Sequence, residues 1–363
     1  MKNKIVFGVW EAVTIMVILF CTQVFLNFPR TMVESAGNAG WILVAYITVI
    51  VFVLFTIMSK LYSRFEGKDI LDISEQLAGN VGRIITGIVF VAYFIFISSI
   101  ILREYAENVK TVSLPTSPII YVIVFFAVSM IVGAYAGIEA LVRVSAISVP
   151  IITFAHLIIL LGVSQYYDIT NLLPILGTGA EDIFIAGIPK ISFFSAISVL
   201  FFITPFIKTY KNFKSVGYIS IAIAGILLTF SSLAYMLVFP YPSSLESILP
   251  LYNLARLINY GRFFQRIEAI FVVIWDMVAM LYLSTMLFFA VYAFKKAFKL
   301  SYYKPLIIPF TIITVGISLL PKNFMSIVEL ENNYFRRIIW AVSFGFITLI
   351  MLAAILFKKT KKK

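Results

Sequence analysis

Two short runs bring hydrogen-bonding side chains into a chain that is otherwise strongly apolar. In CTQVFLNFPR, residues 21–30, Thr22, Gln23 and Asn27 precede Pro29; in IPKISFFSAISVLFFITPFIK, residues 188–208, Ser192, Ser195, Ser198 and Thr204 precede Pro205. Proline removes a backbone donor and opens the helical ladder. Unwound backbone at membrane depth persists only where protein encloses it or where it faces a wet cavity. The chemistry available there is non-covalent: half-helix N-termini favour a carboxylate and half-helix C-termini a cation. The competing reading is structural, with Pro29 opening a helical half, Pro205 making a kink, and the serines bonding their own preceding carbonyls. The matching places of the two runs in the two halves of the chain favour a binding site lined by Thr22, Gln23, Val24, Asn27, Ser195 and Ser198.

Ionisable groups within the apolar stretches are few. Asp276 lies near the middle of its stretch, where a carboxylate either couples a proton or a ligand amine, or fastens helices through a hydrogen bond. Ser284 and Thr285 could offer hydroxyls to a sodium ion, although such a pair is common. Glu11 and His156, the one histidine, fit either a proton relay or packed, bonded positions. Arg103 and Glu107 have i,i+4 spacing and read as a surface ion pair. No metal-ligand cluster, nucleophile motif, phosphate loop or paired-carboxylate centre is present, so the expectation is no enzyme, no cofactor and no metal.

These groups must be positioned by membrane-spanning helices. With 61% hydrophobic and 13% charged residues in 363, there is too little polar surface to coat a water-soluble globule. Ten apolar stretches cover residues 7–28, 41–61, 84–102, 119–135, 141–163, 188–207, 216–239, 269–294, 306–320 and 338–357. At about 1.5 Å per residue most of them span a hydrocarbon core about 30 Å thick. An alternating path with an internal N-terminus places 19 of the 29 Lys and Arg residues on the cytoplasmic side, which puts both termini there. The +12 net charge follows from that asymmetry and requires no nucleic acid. The N-terminus reads as the first span and not as a removed signal. Cys21, the one cysteine, can form no intramolecular disulfide.

No linker divides the chain, so a single all-α membrane domain is expected. Its ten helices would fall into a five-plus-five inverted repeat, repeat one about residues 5–165 and repeat two about 186–358, with helices one and six discontinuous. The polar connections are residues 62–83, 165–180, 240–265 and 321–337. Within the first, residues 69–78 suit an amphipathic helix on the cytoplasmic surface with a solvated acidic face. Residues 243–259, broken or bent by Pro250, read as either an external lid or an ordinary interfacial helix. The basic end 358–363 should rest on anionic lipid.

The run FPRTMVESAGNAGW, residues 28–41, with LPLYNLARLINYGRFFQRIEAIFVVIWDM, residues 249–277, resembles spore germination proteins of the amino acid permease type. These are the B subunits of endospore germinant receptors, in the amino acid/polyamine/organocation superfamily. The resemblance implies a ligand between helices one, three, six and eight, a small amino-acid-like germinant, A and C partner subunits, and the inner membrane of the spore. A free-standing proton-coupled amino acid permease is the alternative. Where the family commonly carries glycines in the first break, this chain has Thr22 and Val24, whose β-branched side chains hinder close backbone approach to a carboxylate.

Overall fold

The computed structural model describes residues 6–207, 209–259 and 267–357; Arg262, Arg266 and the basic end Lys358 to Lys363 lie outside the described residues. Every regular element among the described residues is helical. Seven helices are long and apolar enough to cross a membrane, or eight if the bent pair Ile188–Phe194 and Ile197–Phe206 is one span. Two shorter apolar helices, Val9–Phe25 and Lys304–Ser318, accompany them.

The first segment consists of α1 (Val9–Cys21), a tight 3-10 turn (Thr22–Phe25) and α2 (Phe28–Ala36); α3 (Gly40–Tyr62) follows. The longest helix, α4 (Ile70–Ser113), is bent where Ala78 and Gly79 leave helical geometry, Gly79 at φ +64°. α5 (Ile119–Ala136) and α6 (Ile138–Gly162) lead to the broken segment, Ile188–Phe194 in tight turns and then α7 (Ile197–Ile203). α8 (Tyr210–Val238), the short α9 (Pro250–Leu257) and α10 (Ile267–Ala297) come next. The chain ends with α11 (Ile307–Ser318), α12 (Phe324–Glu329), α13 (Arg336–Trp340) and α14 (Ile347–Leu356), the last three joined by π turns.

α1 is apolar all round because it is enclosed all round: every residue from Ala12 to Cys21 is buried. It lies against α6 and α8, while α10 packs along α4 and α5. Small residues permit close approach. A methyl group on Gly217 would sit 2.0 Å from the Phe55 ring, and one on Gly225 2.2 Å from the Thr48 methyl, at the α3–α8 contact. The outer faces carry Val53, Phe125, Ile147, Phe154 and Leu349, all exposed, whereas Thr14, Ser145, Ser220 and Thr285 are buried. This distribution, apolar outside and hydroxyls within, suits lipid as the solvent.

Four expectations are corrected. The break in the sixth segment lies at Ser195 and Ala196, with a 40° bend, and not around Pro205. Pro205 stands in the closing turn Thr204–Phe206, where the Thr204 hydroxyl lies 2.9 Å from the Lys68 carbonyl and 3.3 Å from the freed Phe201 carbonyl. Similarly, Pro29 opens α2, and the first break lies upstream of it. The acidic face of residues 69–78 is not wholly solvated: Asp69 is fully buried and forms a capping box with Asp72. Pro250 starts α9 and does not break it, because the first helical turn tolerates a missing N–H.

Candidate functional site

In the first break the winding tightens, and the Leu26 N–H donates to the Gln23 carbonyl at 3.1 Å. The Thr22 carbonyl thereby loses its α-helical donor and accepts instead from the Tyr105 hydroxyl of α4 at 3.1 Å. The Thr22 hydroxyl donates back to the Ile18 carbonyl at 2.6 Å. Gln23 and Asn27 are buried, and their side-chain oxygens have no hydrogen-bond partner. Val24 faces a crevice walled by Val149, Ile152 and His156 of α6 and by Leu227 of α8.

The second break repeats the pattern of short bonds. Ser195 N–H donates to the Ser192 carbonyl at 3.0 Å, and Ser198 N–H to the Ser195 carbonyl at 3.1 Å. The hydroxyls of Ser192 and Ser198 are buried without a partner, and the Tyr93 hydroxyl of α4 lies beside Ser195 and Ser198. Two aromatic contacts close the breaks against each other. Phe20 meets Phe194 at 5.4 Å between ring centroids, and Phe28 meets Phe193 edge-on at 4.6 Å.

α10 completes the enclosure. The Trp275 ring lies 5.6 Å from Tyr105, and its Nε1 has no acceptor. Asp276 is half-buried, within electrostatic reach of Tyr105, and one carboxylate oxygen is unpartnered. Over the first break sits α9, with Leu251, Leu254 and Ala255 buried against α2, α6, α10 and the turn Thr22–Phe25. α4 thus reaches both breaks, Tyr105 at Thr22 in the first and Tyr93 beside Ser195 and Ser198 in the second, while Val24 faces α6 and α8.

Other candidates stand apart. Ser284 donates to the Ser129 carbonyl at 3.0 Å and Thr285 to the Leu281 carbonyl at 2.6 Å, so both hydroxyls serve helix contacts. His156 Nε2 pairs with the Ser231 hydroxyl at 2.7 Å, and Nδ1 is unpartnered. Glu11 lies in the first turn of α1, about 16 Å of helix from Thr22. Arg103 and Glu107 do pair, at 2.8 Å, but not at the surface: their side chains are 7% and 17% exposed, and Arg103 also donates to the Ser318 carbonyl of α11. Among the described residues no group of three or more His, Cys, Asp or Glu could hold a metal ion.

Sequence reasoning missed two buried charge clusters. Glu104, which reads as the outer end of a span, is buried beside Glu331 and Arg336, which read as loop charges. Where α4 begins beside the end of α10, Asp69 accepts from Lys296 at 2.5 Å and from the Tyr292 hydroxyl at 3.2 Å, and Asp72 lies 2.7 Å from Lys296. Burial pushes the Asp69 carboxyl up to about 6, with Lys296 drawing it back toward its ordinary value.

Solved structures of transporters share this fold. Mhp1, a nucleobase-cation-symport-1 family transporter in a closed conformation with bromovinylhydantoin bound, aligns with a TM-score of 0.73 over 98% of this chain and 80% of its own, at 11% identity. A Na+-coupled sialic acid symporter aligns at 0.69 over 98% and 92%, with 13% identity. Among curated sequences, spore germination protein KB of Bacillus subtilis (strain 168) is 24% identical over 66% of this chain and 65% of its own length. Spore germination protein B2 of the same organism is 21% identical over 54% of each. The chain therefore spans about two thirds and about half of the lengths of these two relatives. A multi-pass helical membrane protein with a transporter fold is established by these matches together with the seven long apolar helices. Residues 9–327 match the profile described as spore germination protein, and the chain belongs to that family.

Proposed function

We propose that this protein is the B subunit of a spore germinant receptor. It takes up a small ligand, an amino acid or a molecule of similar size, between its two broken helices and passes the change of state to A and C partner subunits. The observation that carries this reading is the pair of breaks itself. They face each other through Phe20–Phe194 and Phe28–Phe193, and the Gln23, Asn27, Ser192 and Ser198 side chains around them hold polar atoms without a protein partner. Each such buried atom costs about 1–3 kcal/mol unless something pairs with it. A ligand with both donors and acceptors would do so.

The reading includes ten membrane crossings, obtained by adding the bent pair and the two short apolar helices to the seven long ones. They form a five-plus-five repeat with cytoplasmic termini, in the inner membrane of the spore. The germination-protein relatives support the receptor role, and the transporter neighbours support an alternating-access core. The test is a ligand screen on the purified protein by thermal unfolding. A ligand that binds the native state alone at a hundred times its dissociation constant stabilises it by about 2.7 kcal/mol. Stabilisation by one or a few amino acids supports the reading. No shift with any of the twenty or with a panel of sugars, nucleosides and other molecules of similar size, with or without co-purified partner subunits, would sink it.

A further inference from the structure

Glu104 on α4 is 1% exposed, Glu331 2% and Arg336 6%. The π winding over Leu330–Phe335 brings residues five apart onto one face, and there Arg336 Nη2 donates to Glu331 Oε1. The Arg336 guanidinium lies 3.4 Å over the Phe193 ring, which fixes it against the second broken helix. Glu104 faces this pair, yet neither of its oxygens, nor Glu331 Oε2, receives a hydrogen bond.

Neighbouring groups do not balance the charge. Arg103 turns away to Glu107 and the Ser318 carbonyl. Tyr282 of α10 and Tyr93 of α4 lie within electrostatic reach of Arg336 but are phenols. Lys190, largely buried, is attracted by Glu34 and Glu331 and repelled by Arg336 and Arg337, and it does not bear on Glu104. Two carboxylates against one guanidinium leave one surplus negative charge, and an uncompensated buried charge costs several kcal/mol.

We infer that Glu104 and Glu331 together form a binding site for one proton, held between their facing carboxyl groups where α4 meets the turn into α13. One proton cancels the surplus and supplies the donor that the facing oxygens lack. A metal cation would need a shell of oxygen ligands beside a guanidinium that repels it, so the proton is the better occupant. Losing the proton sets two like charges face to face, which loosens α4 from α13 and frees Phe193 at the break.

The test needs no germinant. Infrared spectra of the purified full chain in deuterated, sodium-free buffer at neutral pH report the carbonyl stretch of a protonated carboxylic acid. The wild type should show this band. Glu104→Gln and Glu331→Gln should each lose one carboxyl equivalent, because either leaves a single carboxylate opposite Arg336. Monodisperse elution establishes which variants are folded. Persistence of the full band in a folded variant overturns the proposal, as does a wild-type band that fades when sodium replaces potassium, which would assign the site to the metal ion.

Discussion

Tyr105→Phe removes one oxygen and tests whether α4 sets the geometry of the first break. Its hydroxyl holds the Thr22 carbonyl at 3.1 Å, and both groups are buried. The phenyl ring keeps its packing against Trp275 and Phe126, so the change isolates the hydrogen bond. A typical intramolecular bond contributes about 1 kcal/mol net, which corresponds to roughly fivefold in a two-state equilibrium. If the broken-helix geometry is the binding-competent one, the amino acid concentration giving half-maximal germination should rise roughly fivefold on the same arithmetic. Tyr62→Phe is the control. Its hydroxyl donates at 2.9 Å to the Lys68 carbonyl just beyond the end of α3, so it should lower thermal stability comparably and leave the half-maximal concentration alone. Equal germinant sensitivity in both variants, with equal losses of stability, would refute the argument.

The buried Asp69 carboxyl, lifted to about 6 from 3.8, binds a proton more tightly in the folded protein than in the unfolded chain. Its contribution is full below about pH 4 and is lost as pH rises through about 6, with a span of about 3 kcal/mol. Melting temperature measured across that window should fall less steeply in Asp69→Asn, which keeps a capping side chain; identical slopes would contradict this. Gly217→Ala, which forces a methyl to 2.0 Å from Phe55, should cost about 1–3 kcal/mol. Gly316→Ala, with nothing within 4 Å, should be neutral or stabilising by up to about 1 kcal/mol in chemical denaturation. If Ser284 and Thr285 serve only the helix contacts they make to the Ser129 and Leu281 carbonyls, replacing sodium by choline should leave germinant sensitivity unchanged. A severalfold loss would return those hydroxyls to an ion site.

The helical membrane character and the two interruptions were legible because hydropathy and proline act locally. The position of the second break was not. Proline marks where a bond is missing, but the change of winding at Ser195 arises from the packing of Phe193 and Phe194 against Phe28 and Phe20, more than 160 residues earlier in the chain. Charges misled for a related reason. Glu331 and Arg336 look like an outer loop, and only the π winding, with Glu104 opposite, makes a buried cluster of them. Asp69 reads as solvated until Lys296, 227 residues away, is placed beside it. Tyr105 carries no local signal, since its role depends on a carbonyl that the break exposes.

Solvent protection of a single thiol in the second break tests the central assignment most directly. With Cys21→Ser removing the native thiol, Ser198→Cys places a reactive group where the hydroxyl is buried and unpartnered. The protein should be labelled by a small thiol reagent in membranes, and an amino acid that triggers germination should slow the labelling at least tenfold. A Trp10→Cys site, exposed at the start of α1, should be labelled at the same rate with and without it. Ligand between the breaks predicts protection at position 198 alone; equal labelling at 198 with and without the triggering amino acid would contradict a site formed by the two broken helices.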